Sequence, residues 1–459
     1  MSVQGDATRA VNDRTRQRLA VRSSLKAGGL TSFSGTVWYL AILVTTTFFA
    51  STSFEAAGLR SLLVPLALLL GGVSMLFSVP SQISAARGSS LPGGATIRSL
   101  IFWTFVLAST LAVIALGAVL ALGTVARPLT DGLPDEAAAR SFLSLMPLAY
   151  VFVVASDFIE GFLRGCGRFL QASSLVVTRA VVICCSYAVW VGPLDGDPLA
   201  LPWFYMAGGG VSLIAGTLVV MILVRPTRVD TSPSGRDRMG RLVGRVGLPV
   251  LASYVLLSSV VGIQITFVSI GLGRDAEIAF SGMQTVQTLC VVAAMGVAVG
   301  VSSEVLRRAA GGGLSTRTVN AVIARVSTIV FVIEAVVLIV FLAVAGPVLD
   351  LLLVGVSVSQ DLRIGAVLLV VTALFIANDV LVLTVLEEIG VALLSLGLNI
   401  LYFAALVAVT WTTTQRGTFT SLAAGLLILS ITGAGALRGV LLLRSRLRPN
   451  KSTSQGESA

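Results

Sequence analysis

Apolar blocks of membrane-crossing length recur along this chain, separated by short polar stretches, and that alternation limits the fold more than any other feature. A helix needs about 20 apolar residues to cross a hydrocarbon core of about 30 Å. Such segments are predicted at 30–51, 61–85, 98–124, 142–163, 169–192 and 200–224. After a polar stretch they resume at 247–271, 279–303, 319–346, 364–386, 391–412 and 418–443. Only 12% of the 459 residues are charged, against about 25% in an ordinary soluble domain. Water cannot solvate such a surface, and the bilayer is the remaining solvent. The expected fold is an all-α integral membrane protein with twelve transmembrane helices.

The formal charge of +10 could be taken for a nucleic-acid footprint, but its placement argues against one. With both termini in the cytoplasm, the inside segments hold Arg87 and Arg98, Arg164 and Arg168, the arginine-rich stretch 225–241, Arg307, Arg308 and Arg317, and a tail with Arg444, Arg446, Arg448 and Lys451. The outside loops hold acids such as Glu55, Asp131, Asp195, Asp275 and Asp361 together with Arg60, Arg127, Arg140, Arg274, Arg363 and Arg416, so that most Lys and Arg fall inside. This is the asymmetry that sets topology in a cell (inner) membrane. A single miscounted helix would invert half of the chain and erase it. The polar, basic N-terminus is not read as a cleaved signal, because the apolar segment after it is too long and lacks a convincing cleavage site.

The two halves match at one offset. A shift of 222 positions lays SFEAA (53–57) on DAEIA (275–279), VPSQ (79–82) on VSSE (301–304), and Asp157 on Asp379. With six helices per half, the copies share one orientation, as in transporters with parallel repeats. The expected organisation is a basic cytoplasmic tail at 1–29, a first lobe at 30–224, a cytoplasmic linker at 225–246, a second, pseudo-symmetric lobe at 247–443 and a cytoplasmic tail at 444–459.

Several segments resemble the multidrug and toxic compound extrusion (MATE) family, within the superfamily that also holds oligosaccharide-lipid flippases. They are SQISAARGSSL closing helix 2, EGFLRGCGRF at the end of helix 4, RVGLPV opening helix 7, and the small-residue run AAMGVAVGVSSEVLRRAAGG of helix 8. The resemblance covers about residues 28–443. It implies a two-lobed bundle alternating between inward- and outward-facing states, with export coupled to H+ or Na+. The sequence departs from the family in two places. Helix 1 (LTSFSGTVWYLAILVTTTFFAS) has no acid, and Leu257 stands where some members place a glutamate eight residues after the helix 7 proline, here Pro249. The helix 10 aspartate is kept as Asp379.

Histidine is absent, which leaves proton chemistry inside the membrane to carboxylates. Four cysteines, Cys166, Cys184, Cys185 and Cys290, show no metal-ligand spacing. Ionisable residues at membrane depth are costly and usually face protein or water. Asp379 lies about 16 residues, roughly 24 Å, from the outer end of helix 10; it is the leading ion-coupling candidate, the plainer reading being a carboxyl hydrogen-bonded across helices to Asn378 or a serine. Asp157 is its repeat mate, and the depths of Asp157 and Arg179 differ by roughly 4–6 Å. Either the two form a fixed buried pair, or Arg179 is a charge partner released when Asp157 is neutralised. Glu334 is a proton site or a helix–helix hydrogen bond. Glu160 is expected to pair near Arg164, and Glu387 and Glu388 to be solvated. Trp38, Tyr39, Tyr254, Gln264, Gln284, Gln287 and Asn378 are candidate substrate-lining residues; aromatic faces suit cationic or flat organic molecules. Trp190, Trp203, Phe204, Tyr205 and Trp411 read as interfacial belt aromatics.

The expected function is a cation-coupled antiporter exporting small organic molecules such as drugs, toxins or secondary metabolites by alternating access. It would act as a monomer in lipid, with no nucleic-acid partner, no metal and no cofactor beyond H+ or Na+. The alternative is a flippase for a lipid-linked oligosaccharide, for which only Arg179 and Arg438 are candidate pyrophosphate ligands. A membrane-embedded enzyme would need a large extramembrane loop or a dense acidic motif, and no Walker A sequence is present.

Overall fold

The structure is a computed structural model and describes residues 3–52, 70–86, 136–223, 240–310, 316–343, 359–415 and 417–447. The third expected span, 98–124, the first part of the second, and most of the linker and C-terminal tail lie outside the described residues. Among those described, no strand occurs. The helices are α1 (Val3–Thr52), α2 (70–86), α3 (Glu136–Gly165), α4 (Phe169–Val191), α5 (Leu201–Leu223), α6 (Leu248–Leu272), α7 (Arg274–Ala310), α8 (Thr316–Ala343), α9 (Gln360–Leu386), α10 (Ala392–Thr414) and α11 (Phe419–Leu447). Nine stretches among the described residues are long and apolar enough to cross a bilayer, from Ser144–Gly165 to Phe419–Val440. In lipid, helices satisfy their backbone groups internally, which is why such a chain has no other local option.

Helix α1 is longer than its apolar segment and takes in most of the basic stretch before residue 30. No proline interrupts it. Two π-helical turns interrupt otherwise regular helices, Val243–Gly247 before α6 and Glu387–Val391 between α9 and α10. A π-turn inserts one residue and so rotates the side chains that follow, and such turns concentrate at functional positions.

The chain divides into two compact units. The first comprises residues 1–32, 262–389 and 398–459, and the second 33–261 and 390–397. In the second unit α3 is the centre, packed on α4 and α5. Phe142, Met146, Tyr150, Tyr187 and Tyr205 form one apolar cluster and Phe158, Phe162, Leu163 and Leu175 another. Gly161 and Gly165 let α3 approach the backbone of α2 at Ser78 and Gln82, where any Cβ would collide; small residues serve this purpose in membrane bundles. In the first unit α9 is the centre, packed on α7, α8 and α11. Its core joins Ala298, Val301, Ile323, Val326, Leu381 and Val385. Each unit therefore has one central helix, and each central helix carries one of the repeat-related aspartates.

Candidate functional site

The second unit closes its ionisable groups into a network. Asp157 and Glu160 lie about one turn apart on α3, and both reach Arg179 on α4. Arg179 Nη1 donates to Asp157 Oδ1 at 2.8 Å and sits 3.4 Å from Glu160 Oε1. It also donates to the Val153 carbonyl at 3.4 Å, and its guanidinium carbon lies 4.3 Å from the centre of the Trp38 ring. Ser74 of α2 donates to Asp157. Glu160 further accepts from Arg164 at 3.3 Å and Ser156 at 3.3 Å, and Ser156 is tied to Ser212 of α5 at 2.7 Å. The Arg179 side chain is 2% exposed and that of Asp157 is 19% exposed. A guanidinium taken this far from water must be matched by carboxylates and hydrogen bonds; here two acids and a carbonyl gather at Nη1 and an indole face lies against the group, while Nε has no hydrogen-bond partner. Tyr205, read from sequence as an interfacial residue, is buried instead, stacked on Tyr150 at 5.7 Å and edge-on to Trp38 at 6.1 Å. Trp190, Trp203 and Trp411 are exposed.

The first unit treats its aspartate differently. Asp379 is 3% exposed, and neither of its carboxyl oxygens has a hydrogen-bond partner. Its Oδ2 looks at the bare α-carbon of Gly433 on α11; a Cβ there would stand 3.2 Å from that oxygen and 3.2 Å from Cε2 of Tyr402. Tyr402 is bonded through its hydroxyl to Ser430 Oγ at 3.0 Å. Counted from their helix starts, Arg179 on α4 and Tyr402 on α10 are both the eleventh residue. Ser212 on α5 and Ser430 on α11 are both the twelfth. The phenol thus takes the guanidinium's place beside the repeated aspartate. A carboxylate this buried, with no donor, needs a proton or a bound cation to offset its charge. Arg438 of α11 is the cation whose field reaches it, and the Arg438 guanidinium lies 5.8 Å from the Phe331 ring centre on α8. Glu334, one turn along α8 from Phe331, also keeps both carboxyl oxygens without a hydrogen-bond partner.

The remaining sequence candidates fall mainly into helix–helix contacts. Gln264 Nε2 donates to Thr410 Oγ1 at 3.0 Å, Gln287 Nε2 to the Leu369 carbonyl at 2.9 Å, and Asn378 Oδ1 accepts from Ser327 at 2.6 Å. Gln284 is half-buried and its backbone carbonyl accepts from Thr288 at 2.7 Å. Tyr254 packs over Gly72, and Tyr39 is half-buried on α1. Glu387 and Glu388, expected in solvent, are 6% and 1% exposed. The π-turn that contains them points Glu388 at Ser302 and Glu387 at Asn399, 3.4 Å away. Tyr402 was not singled out from sequence, because a lone tyrosine in an apolar helix looks like packing, and only the count from the start of α10 exposes its equivalence to Arg179. Among the described residues no group of acids or cysteines is arranged to hold a metal ion.

This architecture has close counterparts among solved structures. A MATE in complex with MaD5 overlays with a TM-score of 0.80 at 17% identity, covering 93% of this chain and 97% of its own. A mutant of the Vibrio cholerae MATE transporter VcmN gives 0.81 at 14% identity, covering 95% and 99%. A MOP superfamily transporter from Pyrococcus furiosus gives 0.79 at 18% identity, covering 94% and 98%. The chain has the MATE transporter fold. No protein-family model and no curated protein matches the sequence. The MATE fold therefore rests on shape over nearly the whole chain, and the side chains that fill it are this chain's own.

Proposed function

We propose that this chain is a MATE-type exporter of small organic molecules, driven through alternating access by a cation gradient, with twelve transmembrane helices and both termini in the cytoplasm. Asp379 is the coupling acid. The observation that carries this reading is the contrast in charge compensation: Asp157 is already matched by Arg179, whereas Asp379 is buried without a hydrogen bond. A group whose charge is offset only by a transient proton or cation can report the loading of that ion to the rest of the molecule; one locked to a fixed guanidinium cannot. Solved neighbours described as MATE transporters, one of them as a multidrug resistance MATE family transporter, support the export reading. The lipid-linked flippase finds less support, since Arg179, one of its two candidate pyrophosphate ligands, already serves two carboxylates.

Flux of ethidium into everted vesicles, with the pH and Na+ gradients collapsed separately, tests the proposal. Uptake is expected to fail when one gradient is collapsed, and Asp379→Asn is expected to abolish the gradient-driven component. Uptake by wild type that persists with both gradients collapsed would overturn it.

A further inference from the structure

Asp379 shares its unit with a second carboxyl whose oxygens also lack a hydrogen-bond partner, that of the half-buried Glu334, and the helix register relates the two. Two contacts set how α8 and α9 pass each other. Ser327 of α8 meets Asn378 of α9 at 2.6 Å, and the Phe331 and Phe375 rings are 5.7 Å apart. Going from the first contact to the second, the α8 number rises by four (331 − 327) while the α9 number falls by three (378 − 375), so the helices are antiparallel. On that register Glu334 stands level with about residue 372. Asp379 is then about seven residues away along the axis, roughly 10 Å at 1.5 Å per residue. The Phe331–Phe375 pair lies between them, and the Arg438 guanidinium lies over Phe331. Two acids whose carboxyl oxygens are covered and without hydrogen bonds, one on a buried residue and one on a half-buried residue, thus flank an aromatic step beside which the exposed Arg438 places one cation.

Charge balance decides what such a group holds. A guanidinium does not give up its proton, so Arg438 contributes one positive charge at all times. With both acids ionised the group has a net negative charge; with one acid protonated it is neutral. In a medium that penalises net charge heavily, the stable filling is one proton for two carboxyls. The other titratable groups facing them, among the described residues, are Cys290 of α7 at Glu334 and Tyr402 of α10 at Asp379.

We infer that Glu334 and Asp379 hold a single shared proton, with Glu334 as the station farther from the arginine-rich loops and Arg438 as the positioning cation that fixes the count at one. This deepens, and rests on, the assignment of Asp379 as the coupling acid. In the transfer, the Glu334 carboxyl gives its proton to the first of a short chain of waters, each passes one on, and the last gives a proton to the Asp379 carboxylate. Glu334 is left ionised, Asp379 becomes neutral, and the total charge does not change. On the proposed orientation the proton enters at Glu334 from outside and reaches the depth at which Asp379 faces Tyr402 and Gly433.

The test counts protons without any transported substrate. Infrared difference spectra of the purified full-length protein at neutral pH are taken against the Glu334→Gln/Asp379→Asn double variant, which cancels every other carboxyl. Wild type is expected to show the C=O stretch of one protonated carboxyl, identified by its shift in heavy water. Either single variant leaves one acid for one arginine and is expected to lose that band, whereas Glu334→Asp keeps it. Arg438→Gln leaves two acids with no cation and is expected to double it. A Glu334→Gln spectrum that retains the full wild-type band would overturn the inference, as would an Arg438→Gln spectrum identical to wild type. Because no transport is measured, a failed vesicle assay and a failed proton count are separate results. The first removes the exporter reading and the second removes the shared proton.

Discussion

The two central helices, α3 and α9, carry the same repeated aspartate in opposite electrostatic settings. On α3, Asp157 is bound to Arg179, with Glu160, Arg164 and Trp38 completing the arrangement. On α9, Asp379 meets the edge of Tyr402 and a bare glycine, and Val382 stands where the repeat would place a second acid equivalent to Glu160. The repeat offset of 222 gives each of the two central helices one carboxyl. The first is paired with a guanidinium, and the second has no hydrogen-bond partner. On the proposed coupling one unit is rigid and the other responsive, and the difference resides in the eleventh residue of the following helix.

The comparison can be broken most severely from its rigid side. Asp157→Asn or Arg179→Leu leaves a buried charge without its principal partner, and each is expected to cost about 3–5 kcal/mol. This would be read as loss of folded protein in detergent or a large fall in melting temperature, with the Asp157→Asn/Arg179→Leu double variant recovering part of the loss. If both single variants melt like wild type, the network is not structural and the asymmetry between the units disappears. On the responsive side, Asp379→Asn removes an acid that has no hydrogen bond to lose. Its melting temperature is expected to stay within the range of surface substitutions, about 0.5 kcal/mol, while gradient-driven ethidium flux falls at least tenfold (about 1.4 kcal/mol).

Tyr402→Arg sharpens the point by rebuilding the first unit in the image of the second. A guanidinium at that position should bind Asp379, leave the protein folded, and reduce gradient-driven flux as strongly as Asp379→Asn. Normal flux in Tyr402→Arg would show that a free carboxyl is not what distinguishes this unit. The smallest expected effects come from residues read here as helix–helix hydrogen bonds. Gln264→Leu and Tyr402→Phe each delete one such bond, to Thr410 and Ser430. Each should cost about 0.6 kcal/mol, the average for such bonds in membrane bundles. For Gln264→Leu, a change in the substrate concentration dependence of transport without loss of stability would restore Gln264 to the substrate-lining set.

The positions of Asp157, Arg179 and Asp379 at membrane depth are legible from the spacing of apolar blocks, because crossing a bilayer imposes a length on every helix. The 222-residue offset likewise exposes the duplicated aspartate. That offset fails beyond helix 10, however. It would pair Arg179 with Leu401, which is 70% exposed, whereas the helix starts at Phe169 and Ala392 are 223 residues apart and pair it with Tyr402. The π-turn at 387–391 coincides with the extra residue, and no apolar pattern announces a π-turn. The same turn buries Glu387 and Glu388, two acids that by composition alone belong in solvent.

By itself, then, the amino-acid order determined that this chain lies in a bilayer as helices, how the repeated halves align, and which few charged groups must be hidden. Those follow from transfer free energies that each segment obeys alone. Which hidden charge finds a counter-charge was decided only by the tertiary structure. Whether Arg179 reaches Asp157, or a tyrosine faces Asp379, depends on helix rotation and on register between segments far apart in the chain. A one-residue insertion turns a side chain by about 100°, from a neighbouring helix to lipid or back again.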